Sequence, residues 1–135
     1  MFKYLRTMNC NASAPETVLI EASASDVIQK GALYGTNSSG DIINSIGAGM
    51  PKYVALESKE ANEAARNIRF IRTNPNMLFE TTSNTPVEGL RNGMRGLADN
   101  GGAGAINFFC EGGDDLELIA HNYDENTSLV VVAIL

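Results

Sequence analysis

The side chains that most often perform chemistry in proteins are scarce in this chain. It has one histidine, His121, and two cysteines, Cys10 and Cys110, which lie far apart in the sequence. A serine–histidine–acid relay needs a histidine that an acid orients within a cleft, and His121 is expected to point outward on its strand, opposite Leu118. One histidine and two distant cysteines cannot supply the converging ligands of a zinc or cupin-type centre. The sequence therefore predicts no enzyme, no catalytic residues, no cofactor and no metal, with reduced thiols.

Two acidic or amide-rich segments resemble parts of calcium sites. Residues 122–126 place Asn, Asp and Asn at the first, third and fifth positions of a calcium loop. Thr127 stands where that loop needs glycine, and Ala133 stands where it needs glutamate, so an Asx turn is the better interpretation. Residues 114–115 are both aspartate and are expected to form a solvated turn, with a weak surface calcium site as the alternative.

Phosphate and nucleic-acid binding are also disfavoured. The Gly-rich segments 47–49 and 101–104 lack both the G-x-G-x-x-G spacing and the P-loop Lys-Ser/Thr pair, and are expected to be turns. Arg66, Arg69 and Arg72 cluster in sequence, but Arg69 lies on the opposite face of a strand from the other two. The net charge is −6, whereas phosphate binding needs a basic patch. The simpler interpretation is that these three arginines are solvent-exposed charges on a strand.

The length and composition of the chain indicate one globular domain. The chain has 135 residues, of which 44% are hydrophobic and 19% charged, which is enough to bury a single core. No apolar run approaches the ~20 residues of a spanning helix, and the first residues lack the apolar segment of a signal peptide. We therefore expect no membrane partner and synthesis in a cytoplasm.

Short segments of alternating or apolar residues recur with turn signals between them, at the spacing of about 8–12 residues that is typical of sandwiches and barrels. The fold class predicted is all-β with one or two short helical turns, as a compact β-barrel or β-tulip-like domain. One or two helical turns or a loop are possible at residues 58–65, where Lys59 is expected to face water, and residues 85–88 match a capping box. The predicted strands lie at residues 17–22, 28–35, 41–44, 53–57, 67–73, 77–82, 103–110, 116–121 and 128–135.

The N-terminal residues 1–15 are treated apart from the single β-barrel domain, residues 16–135. They begin with aromatic and basic residues and become rich in Asn, Ala and Ser. Two interpretations stay open for them: an arm that orders against a partner, or an edge strand or frayed end.

The order of these segments resembles the capsid decoration proteins of tailed bacteriophages, also called cement or head-stabilisation proteins. The resemblance covers most of the chain from about residue 27 onward and is one of arrangement, not of a catalytic signature. It rests on KGALY (30–34), SGD (39–41), KYVALE (52–57), the Ala-rich connection 59–65, the strands 68–73 and 77–81, and the apolar C-terminal strand.

The resemblance implies a compact β-barrel or β-tulip core and homotrimers at three-fold positions of the head, where they bridge subunits of the major capsid protein. It also implies that the N-terminal arm orders against the capsid as an added strand. The location implied is the virion surface, after synthesis in the host cytoplasm. The residues expected to bind the capsid are Phe2, Lys3, Tyr4, Leu5 and Arg6.

Three other functions remain as alternatives. A tail, baseplate or fibre-associated β-domain would share the strand pattern but occur in few copies. A carbohydrate- or ligand-binding β-sandwich is less favoured, because sugar stacking usually needs aromatic residues and the chain has no Trp. A small trimeric β-enzyme is least favoured, because no second histidine and no recognisable acid–base pair is present.

Overall fold

The computed structural model describes residues 1–8, 15–44, 50–83, 91–98, 106–107, 116–121 and 129–135. These residues form eleven strands and no helix, which confirms the all-β class. The strands are β1 (Lys3–Thr7), β2 (Thr17–Ala22), β3 (Leu33–Thr36), β4 (Ile42–Ile43), β5 (Tyr53–Ala55), β6 (Arg66–Arg72), β7 (Met77–Thr82), β8 (Arg95–Ala98), β9 (Ile106–Asn107), β10 (Leu116–His121) and β11 (Leu129–Ile134).

The strands form two sheets in which each pairing is antiparallel. The six-stranded sheet has the order β1-β7-β11-β10-β8-β9, and the five-stranded sheet has the order β2-β6-β5-β3-β4. In the six-stranded sheet the apolar β11 pairs with β7 on one side and with β10 on the other, whereas in the five-stranded sheet β2 and β6 pair along all six residues of β2. The N-terminal strand β1 and the strand β2 that follows it therefore belong to different sheets, each at an end.

The main hydrophobic core lies between the two sheets. Inward residues of the six-stranded sheet alternate with outward ones, as the period of two in a strand requires. This core contains Phe2, Met77, Phe79, Leu116, Leu118, Val130, Val132 and Ile134 from one side and Leu33, Val54 and Ile71 from the other. Met77 and Phe79 share one face with the buried Thr81, as their spacing predicted.

A second core fills the inside of the five-stranded sheet, which curls so that its end strands β2 and β4 approach each other. Phe70 lies at its centre, with the rings of Tyr34 and Tyr53 at 6.0 Å and 6.3 Å in edge-to-face contact. The other members are Val18, Ile20, Ala22, Ile28, Ala32, Ile42, Ala55 and Ile68. Ile68 and Phe70 thus face the curled interior while Ile71 faces the main core, so both faces of β6 are partly buried.

The helical turn predicted within residues 58–65 does not form, and Lys59 does not face water. Its main chain makes a bridge with Ile28, with hydrogen bonds of 2.9 Å and 2.8 Å. Its side chain is 1% exposed. The ammonium group donates to the main-chain oxygens of Ala24, Asp26 and Glu60 at 3.2, 3.0 and 3.1 Å. These bonds satisfy the buried charge, and the bridge holds the segment in the loop form that was the alternative.

The strand predicted over residues 28–35 is interrupted. Gly31 has φ +84°, and regular pairing begins only at Leu33. A positive φ is accessible to glycine at little cost and breaks the extended backbone. The predicted turn that follows is present: Asn37 accepts hydrogen bonds from the main-chain nitrogens of Ser39 and Asp41 through its side-chain oxygen.

Candidate docking surface

The five residues expected to bind a capsid lie along the edge of the six-stranded sheet. The segment Lys3–Thr7 is β1, which pairs only with β7 among the described residues. Its register with β7 shifts between Tyr4 and Arg6, so a β-bulge lies at Leu5. The start of the chain therefore takes the edge-strand form of the two interpretations left open by the sequence.

Two of the five residues point into the protein. Phe2 is 4% exposed, and its ring lies 6.3 Å from that of Phe79 at an interplanar angle of 90°. Tyr4 is half-buried, its ring lies 5.8 Å from the same phenylalanine, and its hydroxyl is 2.6 Å from the Thr7 hydroxyl oxygen. Edge-to-face pairs of this kind add to the stabilisation from burial. Phe2 and Tyr4 hold β1 against the core of the protein.

The chain start is also fixed to the other sheet. The Phe2 main-chain nitrogen donates to the Gly31 carbonyl at 2.7 Å, and Gly31 donates to Ala55 at 2.8 Å. A Cβ added at Gly31 would lie 3.0 Å from the Met1 Cβ. This close approach and the positive φ both require glycine at position 31. The KGALY segment is thereby in direct contact with the N-terminus.

Three of the five residues face solvent. Lys3 is exposed and Leu5 is 40% exposed, as the alternation along β1 places them, and the bulge leaves Arg6 exposed as well. No carboxylate of the described residues lies within ion-pair distance of Lys3 or Arg6. The outward side chains of β1 therefore form a surface with two cations and one apolar residue. Its positive charge contrasts with the net charge of the whole chain, which is −6.

A second polar feature lies where the five-stranded sheet opens between β2 and β4. Glu21, Asp26 and Asp41 line an open cleft of about 600 Å³. Asp26 accepts a hydrogen bond from the Ser23 main-chain nitrogen at 2.8 Å, and Asp41 accepts one from the Asn37 side-chain amide at 3.3 Å. Across the described ranges, no group of three His, Cys, Asp or Glu residues is arranged to hold a metal ion.

The remaining candidates for chemistry stay as predictions. The main chain of His121, the last residue of β10, lies opposite Val130, and the outward orientation of its side chain stays a prediction. Cys10, Cys110, and residues 114–115 and 122–128 lie outside the described residues, as do 85–88. No helix in the described part of the chain is long and apolar enough to cross a membrane.

Comparison with known proteins adds no relative: no protein-family model, no curated protein and no solved structure matches this chain.

Proposed function

We propose that this protein is a capsid decoration protein that binds the outer surface of a phage head and stabilises it by bridging capsid subunits, as homotrimers at three-fold positions. The observation that carries the proposal is the surface of β1. It presents Lys3, Leu5 and Arg6 from a strand that Phe2 and Tyr4 anchor in the core. The compact all-β fold and the order of segments from residue 27 onward support it as well.

Because β1 is already a strand of the protein's own sheet, it does not bind the capsid as a loose arm that becomes a strand of a capsid sheet. We therefore assign the contact to the outward side chains, with Leu5 against an apolar site and Arg6 against carboxylates on the capsid. Because β1 is ordered before binding, little conformational entropy is lost on docking.

Weak single contacts are sufficient for such a role. Many identical copies bound by symmetry gain avidity, because one bound subunit of a trimer raises the effective concentration of the next. Ligands that bind only the assembled shell stabilise it by mass action. The role requires neither catalysis nor a cofactor, and its partners are the major capsid protein and other copies of this chain, with no nucleic acid and no membrane.

The test is co-sedimentation of the purified protein with capsid shells that lack it. Arg6→Glu and Leu5→Ser should each weaken shell binding, because each removes a side chain assigned to the capsid contact. Neither side chain is buried, so both variants should fold as the wild type does. Lys30→Glu, which changes an exposed lysine outside β1 by the same charge, should bind as the wild type does. If both β1 variants bind like the control, β1 does not contact the capsid.

A tail- or baseplate-associated role is the alternative that would use the same fold. It differs in stoichiometry, since such a protein is present in few copies per particle. Copy number in purified virions separates the two.

A further inference from the structure

Two of the large apolar residues that the described part of the chain exposes lie in β2 and in the loop that follows it. Leu19 is 64% exposed on the outward face of β2, and Val27 is 57% exposed in the loop. The other two, Met1 and Leu5, lie in the N-terminal segment. Single exposed apolar residues are common on protein surfaces, so the charged groups beside Leu19 and Val27 decide whether they form an interface.

Leu19 lies beside a cation that has no ion pair. It stands opposite Arg69 of β6 in the strand register, which places the two Cβ atoms about 4.5–5.5 Å apart on one face of the sheet. Arg69 is exposed, and no carboxylate of the described residues lies within ion-pair distance of its guanidinium, whereas Arg66 of the same strand pairs with Glu57. Leu19 and Arg69 therefore form a protruding pair, one apolar and one cationic.

Val27 lies at a small hollow that contains a carboxylate. This hollow, between the loop after β2 and strand β4, has a volume of about 300 Å³ and is lined by Ser25, Asp26, Val27, Ile28, Ile42 and Asn44. Its volume is at the lower end of the range for small-molecule sites, so it is large enough for one side chain. The mixed apolar and polar lining suits arginine, which has an apolar stem and a charged head.

Asp26 is the anionic group of the hollow. It accepts a hydrogen bond of 2.8 Å from the Ser23 main-chain nitrogen. No cation of the described residues lies within ion-pair distance of its carboxylate. Each copy thus carries a cation and an anion that lack ion pairs within the described chain, each with an exposed apolar residue beside it.

We propose that Arg69 of one copy enters this hollow in a second copy and pairs with Asp26 there, while Leu19 packs on Val27 of the same neighbouring copy. The proposal rests on the homotrimer of the proposed function and names the surfaces that build it. Neither contact uses β1, so the outward side chains of β1 stay available to the capsid. One side chain enters the hollow and no strand is inserted, so the close approach of β2 and β4 within each copy is kept.

The two contacts support each other energetically. Arginine and carboxylate groups form paired hydrogen bonds that are stronger than those between neutral groups, and arginine is enriched among the residues that dominate binding at interfaces. Contact between Leu19 and Val27 removes apolar surface from water. It also excludes water from the neighbouring ion pair, whose attraction is stronger where the local dielectric constant is lower.

The protruding pair and the hollow lie on the two sides of β2. Arg69 belongs to β6, which pairs with one edge of β2, whereas β4 approaches the other edge and lines the hollow. Two different surfaces on each copy make a head-to-tail contact, which closes into a ring when the rotation between copies permits it. In a large ring the two interfaces of a copy face opposite ways, so neighbouring surfaces favour a ring of few copies. A ring of three fits a three-fold position on a capsid.

Sedimentation equilibrium of the full chain without capsid tests the contact. Arg69→Glu and Leu19→Ser should each raise the dissociation constant of self-association on the order of tenfold. Asp26→Asn should have a similar effect, and its side-chain oxygen still accepts from the Ser23 nitrogen. Arg72→Glu, an exposed arginine on the opposite face of β6, is the matched control and should leave the constant unchanged.

A mixture of two variants tests the head-to-tail geometry. Arg69→Glu keeps an intact hollow, and Asp26→Asn keeps an intact protruding pair. At a concentration where neither variant associates alone, the equimolar mixture should form a complex of two copies, because one complete contact is available between them. An interface that used the same surface on both copies would not be restored by mixing.

Three results would overturn the proposal: a wild-type chain that stays monomeric at its highest soluble concentration, a loss with Arg72→Glu as large as with Arg69→Glu, or a mixture that remains monomeric. Shell binding separates this proposal from the proposed function. A monomeric wild type that still binds shells rejects the contact and keeps the decoration role. A trimer that depends on Arg69 but does not bind shells supports the contact and rejects the role.

Discussion

Replacement of Phe2 tests whether the N-terminal segment belongs to the folded domain. Its ring is 4% exposed, packs edge-to-face on Phe79 and lies in the core between the sheets. Phe-to-Ala changes at such sites cost about 3–5 kcal/mol, and we expect about 3 kcal/mol here because the site is close to the chain end and can partly collapse. That is a large part of the roughly 5–15 kcal/mol by which a domain is stable.

Urea unfolding followed by circular dichroism measures this loss. With a slope of about 1–3 kcal/mol per molar urea, the midpoint of Phe2→Ala should fall by about 1–3 M. Lys3→Ala, on the same strand but exposed, should stay within about 0.5 kcal/mol of the wild type. An unchanged midpoint for Phe2→Ala would refute the reasoning, since it would mean that the chain start is a loose arm and not part of the core.

The same burial implies that deletion of residues 1–15 removes Phe2 and Tyr4 from the core, so such a truncation does not leave the domain intact.

Three further changes probe the interior. Thr81→Val should stabilise the fold by about 1 kcal/mol in thermal or urea unfolding, because the buried Thr81 hydroxyl has no hydrogen-bond partner in the described structure and valine has nearly the same shape; a destabilised variant would show that the hydroxyl is satisfied. Lys59→Met should cost about 2 kcal/mol or more, because it leaves three main-chain oxygens without the ammonium that they accept from; a neutral result would contradict the role of this lysine in fixing the loop. Burial raises the pKa of Tyr34 above 10.0, against a smaller lowering by the Gln29 main-chain donor. The unfolded chain therefore loses the Tyr34 proton first, and the stability that is fully present below pH 10.0 declines as the pH rises through the raised pKa. Unfolding of Tyr34→Phe between pH 9 and 11 should show a shallower decline than the wild type, and identical slopes would exclude Tyr34 as its source.

The strands that the sequence predicted well are those with a clear period or a long apolar run. β7 and β11 are examples: Met77 and Phe79 face the main core at a spacing of two, with Leu78 between them also buried, and β11 is apolar along nearly its whole length. In β6 the sequence also separated Ile68 and Phe70 from Ile71, which the two cores confirm. Local pattern is sufficient there because burial on a strand follows the pleat.

Burial that depends on distant contacts could not be predicted. Lys59 was expected in water because lysine is almost never fully buried unless it is paired. Two of the three oxygens that its ammonium contacts belong to a loop 35 and 33 residues earlier in the chain. Lys52 is likewise 4% exposed, with its ammonium 2.6 Å from the main-chain oxygen of Leu135. Neither tertiary contact leaves a signal in the local sequence.

The candidate docking surface was predicted in part. Aromatic and basic residues alternate at positions 2 to 4, which is the pattern of a half-buried edge strand, and this signal could have assigned Phe2 and Tyr4 to the core. The bulge at Leu5 breaks the alternation, so that Leu5 and Arg6 are exposed in succession. A bulge depends on pairing with β7 and is not visible in β1 alone.

The copy number of this protein in purified virions, measured relative to the major capsid protein by quantitative mass spectrometry, tests the proposed decoration role most directly. The role predicts a ratio near one to one, as expected for trimers that occupy three-fold positions over the whole head. A handful of copies per particle would place the protein on the tail or portal instead. Its absence from particles would contradict the structural role altogether and reopen the ligand-binding and enzymatic alternatives.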